Sequence, residues 1–212
     1  EIIHRLGRAA EYRDNETGMH VIRMSRLSAK LAKKIGLPDE ECQLILQASP
    51  MHDVGKIGIP DEILLKPGKL NEEEWVIMKK HSEIGAEILS GSRSAIMKMA
   101  ESIALTHQER WDGSGYPNSL KGEEIPLAGR IVAICDVFDA LTSKRYYKEA
   151  YSIEKSMGII EQGSGKDFEP RLVEAFKEAL PEMVRIVKEL PDNEPADILK
   201  VYRETNTTSS AQ

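Results

Sequence analysis

Apolar residues recur every three or four positions along most of this sequence, which is the spacing of a helix with one buried face. One such run consists of Val21, Ile22, Met24, Leu27, Leu31 and Ile35, and it ends at Gly36, a residue type common at helix C-termini. No segment alternates apolar and polar residues as a half-buried strand does. The sequence therefore predicts an all-α fold, a bundle of about seven or more helices.

Caps and breaks in the apolar spacing predict the helix boundaries. Asn71 precedes Glu74 by three residues, the capping-box pattern, so a helix is expected to begin there. Pro50 lies inside a predicted helix and is expected to kink it or loosen its last turn. Residues 55–70 and 110–128 are expected to be loops, the first with one helical turn. The other predicted helices are 37–52, 71–80, 81–89, 94–109, 127–142, 152–162, 170–180 and 181–190.

Charge and cysteine content argue against some classes of partner. The 212 residues carry a net charge of −6, which argues against a general nucleic-acid surface or an anionic-membrane surface. There is no run of about 18 apolar residues and no signal peptide, so no membrane contact is expected in this segment. Cys42 and Cys135 lie in apolar runs and are expected to be buried thiols, which indicates a reducing cytoplasm.

The two ends of the chain differ from the middle. Residues 1–12 have a helical pattern with neither a Met nor an N-cap, so we expect an upstream domain. We accordingly predict an N-terminal linker helix (1–15), a main domain (16–190) and a C-terminal extension (191–212). The extension lacks a core-forming pattern, and residues 205–212 are expected to be a flexible tail.

The pair His52–Asp53 follows the apolar run 42–48 and is the first candidate for a functional site. Adjacent imidazole and carboxylate groups can aim two different metal ligands at one interior point. Gly55 lets the chain turn away, and Lys56 brings a positive charge close by. Alone, such a pair is more often a surface hydrogen bond or a cap, but the other histidines favour a metal site.

Imidazole and carboxylate groups recur in the other helical segments. Glu16 precedes His20 by four residues, so both can lie on one helix face. Asp136 lies in the apolar run 131–141, where an ionised carboxylate is costly to bury without a cation or hydrogen-bond donors. Alternatively, Asp136 is partly exposed on a polar edge of this helix, and Asp139, three residues later, lies on the same edge. The full set suits one or two cations such as Fe, Mn, Zn, Ni or Co, and it comprises His20, His52, Asp53, His81, His107 and Asp136.

Ordered motifs in this chain resemble those of the HD-GYP domain, a bacterial subgroup of the HD phosphohydrolase superfamily. The similarity covers most of the chain, and the name-giving residues 115–117, Gly-Tyr-Pro, are intact. The matching segments are 14–23, 52–61, 65–70, His81, 107–117 and 136–141. The resemblance implies an HD-domain helical bundle with a long GYP loop. It also implies a phosphodiesterase that hydrolyses cyclic di-GMP to pGpG, with GMP as a further product left open.

The resemblance further implies how metals are held. One metal would take His20, His52, Asp53 and Asp136, and Asp53 would bridge to a second that also takes His81 and His107. Some members hold a third metal, using a Glu at the position of Glu16 and a second His after the one at His107. Here that second position is Gln108, a poor ligand beside imidazole. We therefore predict two divalent metal ions. Fe or Mn is preferred, and Zn, Ni or Co is the alternative. Glu16 is expected to be a weak ligand or a hydrogen-bond partner.

Asp53 and Lys56 are the predicted catalytic residues. Metals that share the Asp53 carboxylate would activate a hydroxide to attack phosphorus. Lys56 would stabilise charge on the phosphoryl oxygens, and a surface salt bridge is the alternative for it. The resemblance implies that Arg145 and Lys148 bind the substrate phosphates, although a surface pair is the ordinary alternative. Tyr116 would hydrogen-bond to the substrate or stack on it, and Asp139 is assigned to the same substrate-binding group.

Other functions stay open at this stage. One is a regulatory module with little turnover that binds a cyclic dinucleotide or a diguanylate cyclase domain, a reading that Gln108 permits. Another is a phosphodiesterase for mixed cyclic GMP-AMP, because base selectivity depends on pocket shape. A nucleoside-triphosphate phosphohydrolase is disfavoured by the GYP residues. The resemblance also implies an upstream receiver or sensory domain, as in two-component response regulators, docking of diguanylate cyclase domains on the GYP loop, and a homodimer.

Overall fold

Helices dominate the structure, a computed structural model that describes residues 7, 10, 13, 18–143 and 150–191. The α-helices are α1 Gly18–Lys34, α2 Asp39–Ala48, α3 Asp61–Leu64, α4 Glu72–Lys79, α5 His81–Leu89, α6 Ala95–Thr106, α7 Leu127–Thr142, α8 Ile153–Gln162, α9 Pro170–Glu178 and α10 Leu180–Glu189. Short 3₁₀ helices lie at Ser49–Met51, Val54–Gly58 and Gly122–Glu124. The described ranges contain no strand, so the all-α prediction is confirmed.

The main core lies where α1 packs against α2, α7, α9 and α10. Leu27 and Leu31 of α1 are fully buried there, as the apolar spacing predicts. Phe138 of α7 and Phe176 of α9 meet edge to face, with ring centroids 4.9 Å apart. Each such side chain stabilises the fold by about 1.5–3 kcal/mol relative to an exposed one. This core fixes α1 and α7, the two helices that carry His20 and Asp136.

The predicted caps are present. The backbone of Gly36 is left-handed, with φ of +87°, and ends α1. At the start of α4 the side chain of Asn71 accepts the N–H of Glu74 at 2.8 Å, and the Glu74 carboxylate accepts the N–H of Asn71 at 2.8 Å. This reciprocal pair is the predicted capping box.

The segment around Pro50 differs in detail from its prediction. Helix α2 ends at Ala48, and the chain tightens into the 3₁₀ turn Ser49–Met51, so the last turn is loosened as expected. Residues 54–64 are more regular than predicted, since they form a second 3₁₀ helix and α3. Helix α6 ends at Thr106, three residues earlier than predicted, which leaves His107 at the helix terminus.

Three further expectations concern the ends, the thiols and the membrane. Apart from residues 7, 10 and 13, the predicted linker 1–15 lies outside the described residues, as do residues 192–212. Cys42 and Cys135 are both buried and neither forms a disulfide. Among the helices in the described ranges, none has the length and apolarity needed to cross a bilayer.

Candidate metal centre

Six ligand-type side chains from five separate segments point toward one region of the interior. His20 lies in the first turn of α1, and His52 and Asp53 lie between two 3₁₀ turns. His81 is the first residue of α5, and His107 follows the last residue of α6. Asp136 lies in α7. All but Asp136 are buried, and its side chain is 21% exposed, which leaves the centre open on that side.

His20, His52 and Asp136 form a first group whose ligand atoms all lie within 4.8 Å of one another. The Nε2 atom of His20 lies 3.4 Å from Oδ1 of Asp136. The Nε2 atom of His52 lies 3.9 Å from the same oxygen. Three such donors around one point are an arrangement that can hold a divalent cation.

Asp53, His81 and His107 form a second group of the same kind. Oδ1 of Asp53 lies 3.3 Å from Nε2 of His81 and 3.2 Å from Nε2 of His107. The other carboxylate oxygen of Asp53, Oδ2, lies 3.4 Å from Nε2 of His52. One carboxylate therefore faces both groups with different oxygens, which is the geometry a bridging ligand requires.

Backbone carbonyls orient three of the imidazoles. Because a carbonyl oxygen only accepts, each of these Nδ1 atoms carries the proton and each Nε2 presents a lone pair to the centre. The contacts are His52 Nδ1 to the Ser49 oxygen at 3.1 Å, His81 Nδ1 to the Met78 oxygen at 2.8 Å, and His107 Nδ1 to the Ala104 oxygen at 3.1 Å. These carbonyls thus fix the three rings with Nε2 facing the centre.

Asp139, which the sequence assigns to substrate binding, orients the fourth imidazole. Its side chain is fully buried, and Oδ2 accepts from Nδ1 of His20 at 2.8 Å. Arg23 donates through Nε to Oδ1 at 2.6 Å and through Nη2 to Oδ2 at 3.0 Å. Burial alone would raise the pKa of Asp139, but His20 and Arg23 outweigh it and lower that pKa. Both oxygens of this buried carboxylate are thus engaged by other side chains of the protein.

The protonation states suit metal binding at neutral pH. Burial lowers the pKa of His81 to about 4, against the opposing charge of Asp53, so this imidazole is neutral at pH 7. Burial alone would raise the pKa of Asp53. The ammonium of Lys56, 2.8 Å from Oδ2, together with His52 and His107, outweighs this and holds that pKa well below its usual value. The centre therefore offers a neutral imidazole at His81 and an ionised carboxylate at Asp53.

Buried polar atoms test whether these residues fit metal ions. Within the described residues, Oδ1 of Asp53 and Nε2 of His107 are buried and make no hydrogen bond. Such atoms cost about 1–3 kcal/mol each when left unsatisfied. A cation between them would remove that cost. The donor set, imidazole nitrogen and carboxylate oxygen without thiolate, fits borderline divalent ions.

Gly55 brings the His52–Asp53 turn against the helix that carries His81. A Cβ atom at Gly55 would lie 1.9 Å from the His81 carbonyl oxygen and 2.4 Å from the Gly85 nitrogen. No residue with a side chain fits at that distance. The two backbones can therefore approach closely enough for Asp53 to meet His81.

The GYP loop forms one wall of the centre. The ring of Tyr116 lies edge-on to His81, with centroids 6.1 Å apart, and the Lys79 ammonium lies 5.4 Å from the Tyr116 ring. The buried carboxylate of Glu109 accepts the N–H of Asn118 at 2.8 Å and the N–H of Leu120 at 3.1 Å. Glu109, which the sequence analysis missed, thereby anchors this loop from inside.

Some predicted site residues are not tested by this geometry. Glu16, Arg145 and Lys148 lie outside the described residues. Gln108 is half-buried, and its backbone oxygen accepts the N–H of Tyr116 at 3.3 Å. Arg23 was missed as a site residue, although its charge inside the apolar run of α1, three residues after His20, was an available signal.

Comparisons with known proteins agree with this geometry. Residues 6–172 match the HD domain family. The chain is 50% identical over 192 residues to the 3'3'-cGAMP-specific phosphodiesterase 2 of Vibrio cholerae, covering 91% of this chain and 37% of that protein. It is also 50% identical over 176 residues to the cyclic di-GMP phosphodiesterase response regulator RpfG of Xanthomonas campestris pv. campestris, covering 83% of this chain and 47% of the relative.

A solved structure shows the same fold. It is that of a cyclic GMP-AMP specific phosphodiesterase of Vibrio cholerae, V-cGAP3, with a TM-score of 0.64 at 20% identity, covering 89% of this chain and 54% of that one. The chain thus spans less than half the length of the two relatives above. The family match includes all four imidazoles and both carboxylates of the two groups. The chain therefore belongs to the HD domain family.

Proposed function

We propose that this chain is a metal-dependent phosphodiesterase that hydrolyses cyclic di-GMP to pGpG, with further hydrolysis to GMP left open. The observation that carries the proposal is the Asp53 carboxylate, whose two oxygens face different groups of imidazoles. The named activity of RpfG, which is 50% identical, supports the substrate class. The mixed cyclic GMP-AMP dinucleotide is the second candidate substrate, because a relative of equal identity is named for it.

Two divalent ions would occupy the centre in this proposal. His20, His52 and Asp136 would hold one, His81 and His107 the other, and Asp53 would contact both. When bound, such ions supply Lewis acidity and lower the pKa of water toward neutrality. Fe(II) and Mn(II) are the first choice, since both accept mixed imidazole and carboxylate ligands.

The protein's own groups would prepare the phosphate for in-line attack. The Lys56 ammonium, with Nζ 2.8 Å from Oδ2 of Asp53, places a positive charge where phosphoryl oxygens gain negative charge. Tyr116 lies at the wall formed with His81, where a base or ribose of the substrate would contact it. Arg145 and Lys148 remain the proposed contacts to the phosphates.

Turnover is the decisive test. Protein purified anaerobically is loaded separately with Fe(II) and Mn(II), offered cyclic di-GMP or 3'3'-cGAMP, and the products are resolved by chromatography. We expect metal-dependent pGpG that disappears in Asp53→Ala. Faster cleavage of 3'3'-cGAMP would instead support the second substrate. Nucleotide binding without cleavage in any metal would contradict the enzyme and support a regulatory module.

Metal content tests the stoichiometry independently of activity. Because Gln108 stands where some family members have histidine, we expect two ions per chain by elemental analysis. Three ions per freshly purified chain would contradict this and would make Glu16 a ligand to examine.

A further inference from the structure

Arg13 contacts the turn that follows the His52–Asp53 pair. Its Nη1 donates to the carbonyl oxygen of Lys56 at 3.4 Å and also to that of Ile57, while Nη2 donates to the carbonyl of Ile59 at 3.1 Å. Nη2 also meets Oδ1 of Asp61 at 2.5 Å. The Arg13 side chain thus binds three closely spaced carbonyl oxygens that lie more than 40 residues later in the sequence.

Two other described N-terminal residues lie on the same side. A Cβ at Gly7 would lie 2.2 Å from the Pro50 oxygen, so the Gly7 backbone packs directly against the turn before His52. Ala10 is 2% exposed and belongs to the main core. Gly7, Ala10 and Arg13 are spaced by three residues in the sequence. Gly7 and Arg13 contact the two ends of the segment 50–61, which contains the His52–Asp53 turn.

The carbonyl contacts matter more than the ion pair. The Asp61 side chain is 67% exposed, and exposed pairs contribute little. Two of these carbonyls, those of Lys56 and Ile57, belong to the 3₁₀ helix Val54–Gly58, and the third is that of Ile59, the residue that caps it. The N–H of Lys56 donates to the Asp53 oxygen at 3.0 Å, and the N–H of Ile59 donates to the Lys56 oxygen at 3.1 Å. Holding these oxygens fixes the backbone from which the Lys56 ammonium reaches Asp53.

We propose that Arg13 is a positioning residue. By fixing the backbone between Asp53 and Asp61, it holds the Lys56 ammonium against the Asp53 carboxylate. The effect of Arg13 on catalysis rests on the proposed phosphodiesterase function. Its effect on the turn does not. In the described part of the chain Arg13 donates to the backbone of this turn and to Asp61, so we expect a change that displaces it to act on the reaction through Lys56.

A double-mutant cycle tests the catalytic part. We expect Arg13→Ala to lower kcat roughly tenfold to hundredfold with little change in KM, because displaced catalytic groups cost rate rather than binding. In a Lys56→Ala background the same change should cost less than about twofold. Arg13→Lys, which keeps one charge but cannot span the carbonyls, should recover only part of the rate. Equal losses in both backgrounds, or full activity of Arg13→Ala, would overturn the proposal.

Hydrogen exchange tests the turn without any turnover. The amides of Lys56 and Ile59 should exchange roughly tenfold faster in Arg13→Ala than in the wild type. Arg171→Ala is the matched control, since Arg171 also donates to a distant carbonyl, that of Ile35 at 3.3 Å, and should leave these amides unchanged. If Arg13→Ala fails to fold, Arg13→Lys carries the same comparison. Unchanged exchange would overturn the positioning role, whereas a wild type without turnover would contradict only the proposed function.

Discussion

The carboxylate of Asp139 has its role fixed by what surrounds it rather than by its residue type. It lies one helical turn after Asp136, yet it is fully buried while Asp136 opens to solvent. Its oxygens accept from both His20 and Arg23. It therefore fixes the ring of one ligand and neutralises a buried guanidinium at the same time.

Asp139→Asn tests this double role. Removing the charge takes an ionic partner from the buried Arg23 guanidinium, so we expect the free energy of unfolding to fall by about 3 kcal/mol. The amide keeps only one acceptor oxygen for the donors of His20 and Arg23 and opposes them with its own NH₂, so metal affinity should weaken by about tenfold to hundredfold. KM for the dinucleotide should not change at saturating metal. Urea unfolding, metal titration and steady-state kinetics measure the three effects.

The control for this variant is Asp39→Asn, which removes an exposed partner of Lys33. Its free energy of unfolding should stay within about 0.5 kcal/mol of the wild type. A large rise in KM for Asp139→Asn with unaltered metal affinity would show that the original substrate-binding assignment was right.

Sequence reasoning named the ligand residues at this scale but not the residues that hold them. Asp136 and Asp139 share an apolar run, and no pattern in that run says which one faces the centre. The position of Asp139 depends on Arg23 and Ser143 around it, and those contacts exist only after α1 and α7 pack together. Arg145 and Lys148 remain predictions.

At the level of secondary-structure elements, the geometry of the centre depends on the close approach of two backbone segments. The turn at Gly55 contacts α5 at Gly85, so the second group depends on the absence of a side chain at Gly55. The helix boundaries were largely predictable from caps and apolar spacing. This approach was not, because it depends on how separate elements pack.

Gly55→Ala should disrupt the centre without touching a ligand. The new Cβ would meet backbone atoms of His81 and Gly85 in α5, the closest at 1.9 Å, so we expect a loss of about 3 kcal/mol or more in the free energy of unfolding. Turnover should fall with it, since Asp53 moves away from His81. Gly158→Ala is the matched control: nothing lies within 4 Å, and its position inside α8 predicts a gain of about 0.5–1 kcal/mol. Equal stability of the two variants would refute the packing argument.

Glu109→Gln tests how the GYP loop is anchored. The buried carboxylate accepts two backbone N–H groups, whereas an amide can accept one and opposes the other with its own NH₂. We expect the amides of Asn118 and Leu120 to exchange faster and KM to rise several-fold, on the order of 1 kcal/mol. Glu87→Gln, on the exposed side of α5, serves as the control. Unaltered exchange at both amides would contradict the anchor.

At the scale of the whole molecule, the centre connects parts of the chain that are far apart in sequence. Its side chains come from α1, the His52–Asp53 turn, α5, the end of α6, and α7. Among the described residues, two of its ligand-type atoms, Oδ1 of Asp53 and Nε2 of His107, are buried and make no hydrogen bond. Metal ions would therefore link the main helices of the bundle. The all-α class and the ligand set follow from sequence patterns, while this coupling between site and stability follows only from the assembled fold.

Chelation should lower the stability of the entire domain. At metal concentrations about 100-fold above Kd, binding to the folded state alone contributes about 2.7 kcal/mol. For a domain of this size that corresponds to a fall in Tm of about 5–10 °C when the metal is removed. Calorimetry of metal-loaded, EDTA-treated and reloaded protein measures the shift, which should be fully restored on reloading. Asp53→Ala should show a much smaller response, because it removes the carboxylate that faces both groups. If the Tm were unchanged after chelation, in protein shown to have lost its metal, packing alone would assemble the two groups. Metal would then act on the reaction without stabilising the fold.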